Sequence, residues 1–221
     1  TVERLIITAS GGPFRSLSEH ELEKVTVEQA LQHPSWSMGA KITVDSATML
    51  NKAFEIIEAR WLFDIPADRI TPVVHPQSIV HSMVEFVDGS IKAQLGVPDM
   101  RLPISYALGE TKRLASADYR LRLADIASLS FEKPDYGRFP CLGLAAESFR
   151  RGGNAACVIN AANEIANEAF RQGRIGFTDI YRVIEATLNS VGHTDSPTYD
   201  DFVASNSAAR RMAAEFIASK L

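Results

Sequence analysis

Ile79–Leu95, IVHSMVEFVDGSIKAQL, is the stretch that decides how the chain is organised. Ile79 to Val87 is rich in β-branched and apolar residues, Asp88-Gly89 is a tight-turn dipeptide, and Ile91, Ala93 and Leu95 then alternate with Lys92 and Gln94. This pattern predicts an antiparallel hairpin. Upstream, the β pattern begins at Ile70, and Val2–Ala9 (VERLIITA) reads as a further strand. Downstream, Pro98-Asp99-Met100-Arg101 opens a helix to about Leu108. Between the first strand and Ile70, residues 18–31 hold two short helical patterns and residues 33–39 a loop. Lys41 to Val44 alternates like a strand, and Asp45 or Ser46 can cap one helix running to about Phe63. On that helix Leu50, Ala53, Phe54, Ile57 and Trp61 form the expected packed stripe, with Asn51, Glu55 and Glu58 on an adjoining polar face and Lys52 further round.

Residues 1–110 therefore predict an α/β (α+β) domain with a mixed sheet. Residues 111–135 have weak periodicity and read as a linker arm. Beyond Tyr136 the patterns are helical, near 140–151, 155–172, 178–191 (with Thr178 as its cap) and 199–220, which predicts an all-α four-helix bundle over 136–221. With 221 residues, 46% hydrophobic and 23% charged, the chain is of globular composition, as one large domain or two modest ones. Lys plus Arg is 23 against 27 Asp plus Glu, a net charge of −4, so no basic field exists to hold nucleic acid. No apolar stretch approaches the roughly 18–20 residues that cross a bilayer. Cys141 and Cys157 make no disulfide framework and suit a reduced, cytosolic protein as small buried hydrophobes. Thr1 stands at the edge of a strand, so the expectation is a piece of a longer chain.

Several residues could carry chemistry, each beside a blander reading. Ser10-Gly11-Gly12 after a strand can cradle an anion or be a plain turn. Ser46 at a helix start can bind phosphate or merely cap. Asn51-Lys52 add an amide and an amine, a phosphate clamp or a solvated face. Glu55 can be a metal ligand, an acid/base or an exposed acid; Glu58 is read as structural, and no acidic cluster completes a metal site. His33 and Trp36 sit in a Gly/Pro-flanked loop that can close over a substrate or pack down. His81, on the apolar face of Ile79 and Met83, reads as a satisfied core histidine, and His75 shares its turn. Arg150-Arg151 and Arg210-Arg211 read as solvated helix faces.

The strings SGGPFR (10–15), HPSWSMGAKITVDSATMLNKAFEIIEARWLF (33–63), HPQSIVHSMV (75–84), DGSIKAQLGVPDMR (88–101) and NAANE (160–164) together resemble the 1-deoxy-D-xylulose 5-phosphate reductoisomerase family, across essentially the whole chain. The resemblance implies conversion of that ketose phosphate to 2-C-methyl-D-erythritol 4-phosphate, by rearrangement and NADPH-dependent reduction, on the methylerythritol phosphate route to isoprenoids. It implies a divalent metal (Mg, Mn or Co), a homodimer, no nucleic-acid or membrane partner, and a bacterial cytoplasm or plastid stroma. By resemblance, Ser10, Ser46, Asn51 and Lys52 match the phosphate site, and His33 and Trp36 match a substrate-contacting histidine and the indole of a closing loop. Met38 and Gly39 match positions where that loop nears the nicotinamide. Glu55 matches one of three acidic metal ligands and also touches substrate; His81, Pro98 and Met100 match pocket-lining positions. The family's NADPH-binding domain and its Asp-Ser-Glu string have no counterpart in these residues. The expectation is a catalytic portion that is inactive alone; a non-catalytic dimerisation or phosphate-binding module, or another sugar-phosphate isomerase, are the competing readings.

Overall fold

The computed structural model of the chain describes residues 1–34, 36–110, 112–115 and 119–220. Ser35 of the expected closing loop, and Thr111 and residues 116–118 of the expected arm, lie outside the described residues. In chain order the elements are β1 (Val2–Ala9), α1 (Glu19–Leu22), α2 (Val27–Ala30), α3 (Ala40–Ala47), α4 (Leu50–Phe63), β2 (Ile70–Val74), β3 (Val80–Phe86), β4 (Ile91–Leu95), α5 (Arg101–Leu108), α6 (Leu144–Arg151), α7 (Ala155–Arg171), α8 (Asp179–Ser190) and α9 (Tyr199–Lys220). Two compact units arise: Thr1–Gly11 with Asp68–Pro134, and Gly12–Ala67 with Asp135–Leu221.

The first unit is a mixed four-stranded sheet in the order β2-β1-β3-β4. β1 pairs parallel with β2, Leu5 opposite Ile70, and antiparallel with β3, Ile6 opposite Met83. A parallel pair cannot be joined by a tight turn, and residues 12–67 supply the long connection. β3 and β4 form the expected hairpin, turning at Gly89, whose φ of +80° only glycine adopts freely. Ile70, Val74 and Val80 are buried, whereas Val87 and Ile91 of the hairpin lie open. His75 is fully buried and stacks on Phe131 at 4.8 Å. Its Nδ1 lies 2.8 Å from the Ser130 carbonyl, and its Nε2 accepts from the Ile79 N–H at 3.2 Å. His75 is thus a satisfied core histidine; His81, expected in the core, is half-buried, on a strand whose register shifts between Val80 and Ser82.

In the second unit α7 packs against α8 and α9, and α8 against α9. The apolar stripe of α7 is largely alanine (Ala161, Ala162, Ala166, Ala169), which lets neighbouring helices approach closely. Ile180, Val183, Ile184 and Leu188 of α8 bury the predicted face. Phe14, from just after the sheet's first strand, stacks edge-on against Phe177 at 5.1 Å, and Phe170 does so at 5.8 Å. Thr178 makes no side-chain cap; the Asp179 carboxylate accepts from the Gly176 N–H instead. Arg151 and Arg210 are not simply solvated. Arg151 binds Glu147, the Leu188 carbonyl and Asn189, and Arg210 pairs with Glu164. Cys141 is buried, its thiol pushed up to about 12 by burial, while Cys157 is half-buried.

Three sequence expectations fail between residues 41 and 63. Lys41 to Val44 is helical, not a strand: Thr43, Val44 and Ala47 make a buried helical stripe, and the Thr43 hydroxyl donates to the Gly39 carbonyl. Tertiary burial outweighs the β preference of branched side chains. The helix expected from Asp45 or Ser46 to Phe63 is two helices, broken where Met49 adopts φ 64°; Ser46 lies in the last turn of α3 rather than at a cap. Finally, α4 buries Leu50, Lys52, Ala53, Ile56 and Ala59, an arc centred nearer Ile56 than Leu50. Small alanines fit the contact with α3 and α6, so Trp61 rides outside it at 73% exposed.

Candidate functional site

α3 and α4 create a compact polar cluster within the second unit. Met49 turns the chain so that α4 starts afresh at Leu50, placing Asn51, Lys52 and Glu55 in its first two turns. The Asn51 amide donates to Glu55 Oε1 at 2.7 Å, and the Lys52 ammonium holds Glu55 Oε2. Lys52 is only 8% exposed; a solvated lysine on a helix face is therefore excluded. A buried ammonium needs an anion beside it, and here Glu55 serves. Glu55 itself is half-buried, and Glu58 is exposed.

Ser46 sits at the end of α3, and its carbonyl lies close under Gly12. In the loop before α3, His33 Nδ1 accepts the Trp36 backbone N–H at 3.0 Å, which ties the indole-bearing residue to the imidazole. Burial pulls the His33 imidazole below its ordinary value, favouring the neutral ring that can accept this bond. Trp36 and Met38 are half-buried and Gly39 is exposed. Ser10, His81, Pro98 and Met100 belong to the sheet unit. There Gly96 leaves room for His81, whose Nε2 lies 3.5 Å from where a Cβ would stand, and Met100 is exposed.

α3 also carries a buried acid that sequence reasoning treated only as a cap. Asp45 is 2% exposed. Its Oδ2 pairs with Lys41 at 2.7 Å, and its Oδ1 accepts from the amides of Asn163 at 2.9 Å and Asn167 at 2.8 Å. The available signal was two asparagines four apart on the alanine-rich, buried face of α7.

Chain comparisons place these residues in a family. A family model described as "DXP reductoisomerase C-terminal domain" matches residues 95–212, and one described as "1-deoxy-D-xylulose 5-phosphate reductoisomerase C-terminal domain" matches residues 1–63. The chain belongs to the DXP reductoisomerase family. It is 54% identical over 216 residues to the reductoisomerase of Bacteroides fragilis, covering 98% of this chain and 56% of that protein. It is similar to the solved Zymomonas mobilis reductoisomerase in complex with NADPH, with 48% identity and a TM-score of 0.91, over 99% of this chain and 56% of that one. It is also similar to a DOX-P reductoisomerase solved with NADPH, fosmidomycin and magnesium, with 41% identity and a TM-score of 0.93, over 98% and 55%. The chain thus spans just over half the length of the reductoisomerases it matches.

That proportion bears on the metal. Among the described residues, no group of three or more His, Cys, Asp or Glu side chains is placed to hold an ion. Glu55 is one carboxylate, with an ammonium already on it. Among the described residues, no helix is long and apolar enough to cross a membrane.

Proposed function

We propose that this chain is the phosphate-binding and lid-bearing portion of an enzyme converting 1-deoxy-D-xylulose 5-phosphate to 2-C-methyl-D-erythritol 4-phosphate. The observation that carries the reading is the buried Lys52 ammonium flanked by Asn51 and Glu55, in a member of the DXP reductoisomerase family. A desolvated cation with an amide at its side suits a phosphate dianion, since charge-assisted bonds strengthen where water is excluded. Lys52 and Asn51 bind the substrate phosphate, joined by Ser46 and Ser10. His33 contacts the substrate, and Trp36 closes over it and excludes water. Met38 and Gly39 face the nicotinamide. Glu55 touches substrate and is one ligand of a divalent metal (Mg, Mn or Co), whose remaining ligands come from outside this chain.

NADPH, when bound, supplies the hydride that reduces the rearranged aldehyde. The residues of this chain hold and orient the phosphorylated end. The enzyme works as a homodimer built on the sheet unit, whose open hairpin residues Val87 and Ile91 offer apolar surface, in a bacterial cytoplasm or plastid stroma. Turnover draws on the portion of the reductoisomerases that these 221 residues do not span.

The test is Lys52→Met in the full-length enzyme, which keeps the buried stem and removes the charge. Losing a charge-assisted bond costs about 1.5–3 kcal/mol, roughly 10- to 150-fold in kcat/KM. An unchanged kcat/KM removes Lys52 from the site. In the same absorbance assay with deoxyxylulose phosphate and Mn²⁺, the 221-residue chain consumes no NADPH; turnover within tenfold of the whole enzyme refutes the division of labour.

A further inference from the structure

The buried carboxylate of Asp45 has no role in the chemistry above, yet it holds three side-chain partners. Its two oxygens take one ammonium and two amides, and the amides come from α7, 118 and 122 residues away in sequence. The Asn167 amide also donates to the Lys41 carbonyl at 2.9 Å, so α7 grips α3 at both its first turn and its last. Directly after Asp45 come Ser46, the Thr48–Met49 break and the first turn of α4. The Thr48 hydroxyl donates to the Asp45 carbonyl at 3.2 Å and accepts from the Leu50 N–H at 3.4 Å, which transmits the hold from Asp45 into α4.

The clamp leaves one of its own buried polar atoms unpaired. Asn163 is fully buried and its Oδ1 has no hydrogen-bond partner, which costs stability. An apolar residue on the alanine-rich face of α7 would avoid that cost. What Asn163 achieves is a fixed donor on Asp45. Breaks from local stability of this kind concentrate where geometry serves a site.

We propose that Asp45 is a positioning residue: clamped by Asn163 and Asn167, it fixes the end of α3 and the start of α4, so that Ser46, Asn51 and Lys52 stand ready for phosphate. The proposal rests on the phosphate reading of Lys52. α7 is then a working part of the site although it touches no substrate, and displacements of an ångström at such a distance cost roughly 100-fold where geometry matters.

The experiment measures the affinity of the full-length enzyme for inorganic phosphate by calorimetry, well below each variant's melting temperature, with Lys52→Met as the reference. Asn163→Ala and Asn167→Ala each leave one amide on Asp45 and should weaken phosphate binding about 10- to 100-fold. Asp45→Asn keeps the Oδ1 acceptor but loses the Lys41 pair, and should weaken phosphate binding less than either alanine variant does. Hydrogen exchange supplies a second reading: backbone amides of residues 46–52 should exchange faster in both alanine variants while those of α9 do not change. Alanine variants that bind phosphate as the parent does, or an Asp45→Asn variant as weak as they are, overturn the proposal. So does faster exchange spread evenly over the molecule. If Lys52→Met itself leaves phosphate binding unchanged, the phosphate reading fails instead, and the two failures are told apart.

Discussion

Gly12 gives the sharpest test of how the end of α3 is held. Its φ is +68°, and a Cβ added there would stand 3.0 Å from Ala47 Cα and 3.0 Å from the Ser46 carbonyl oxygen. Both are backbone atoms, and Ala47 is fully buried, so neither can swing aside as a long side chain would. Gly12→Ala meets two costs. A left-handed backbone costs a non-glycine residue about 1–2 kcal/mol, and overpacking a closed contact adds about 1–3 kcal/mol. For a chain of this size each kcal/mol lowers the melting temperature by about 2–4 °C, so the two costs together should lower it by roughly 4–20 °C.

Gly173 is the matched control. Its φ is +69°, but a Cβ there meets no atom within 4 Å. Gly173→Ala therefore meets only the first cost, a fall of about 2–8 °C. Circular dichroism melts of both variants beside the parent make the comparison. Equal melting temperatures for the two would refute the close approach of Gly12 to α3. A Gly12→Ala protein that melts low but binds phosphate like the parent would separate the packing from the site.

The remaining expectations concern the loop, acid and assembly. Trp36 fluorescence should change when a phosphonate hydroxamate such as fosmidomycin binds the full-length enzyme. Because Trp61 is itself 73% exposed, the signal must be read in a Trp61→Phe background, where loss of the response on adding Trp36→Phe is the required outcome. Since burial lowers the His33 pKa from its ordinary 6.5, the unfolded chain takes up the proton first. His33 thus contributes stability above about pH 6.5 that is lost as pH falls through the lowered value, and His33→Gln should flatten that slope in melts from pH 8 to 5. Hydrogen bonds from Arg150 and then Arg151 hold Glu147 down to about 2; its contribution is present above pH 4.5 and disappears as pH falls toward 2, a final acid step that Glu147→Gln should abolish. Light scattering of the full-length protein at tens of micromolar should give a dimer mass, and a monomer would remove the hairpin from any interface.

The strands and the C-terminal helices were legible because their signals are local. A β-branched run, an Asp-Gly turn and a repeating face such as Ile180-Val183-Ile184-Leu188 need no partner to be recognised. The candidate site was legible in composition but not in geometry. Asn51, Lys52 and Glu55 announce themselves as polar residues at helical spacing, yet whether Lys52 faces water depends on which arc of α4 is covered. Alanines at 53 and 59 decide that arc by letting α4 sit close, whereas hydrophobicity alone points to Trp61. Asp45 was the least legible of all. Next to Ser46 it satisfies every local rule for a helix cap, and its actual partners lie 118 and 122 positions further along. A carboxylate becomes a cap or a clamp according to what is packed against it. In this chain α7 is packed against it, and so the helices beyond Tyr136, which by local pattern promise only a bundle, hold the segment on which the proposed phosphate site is built.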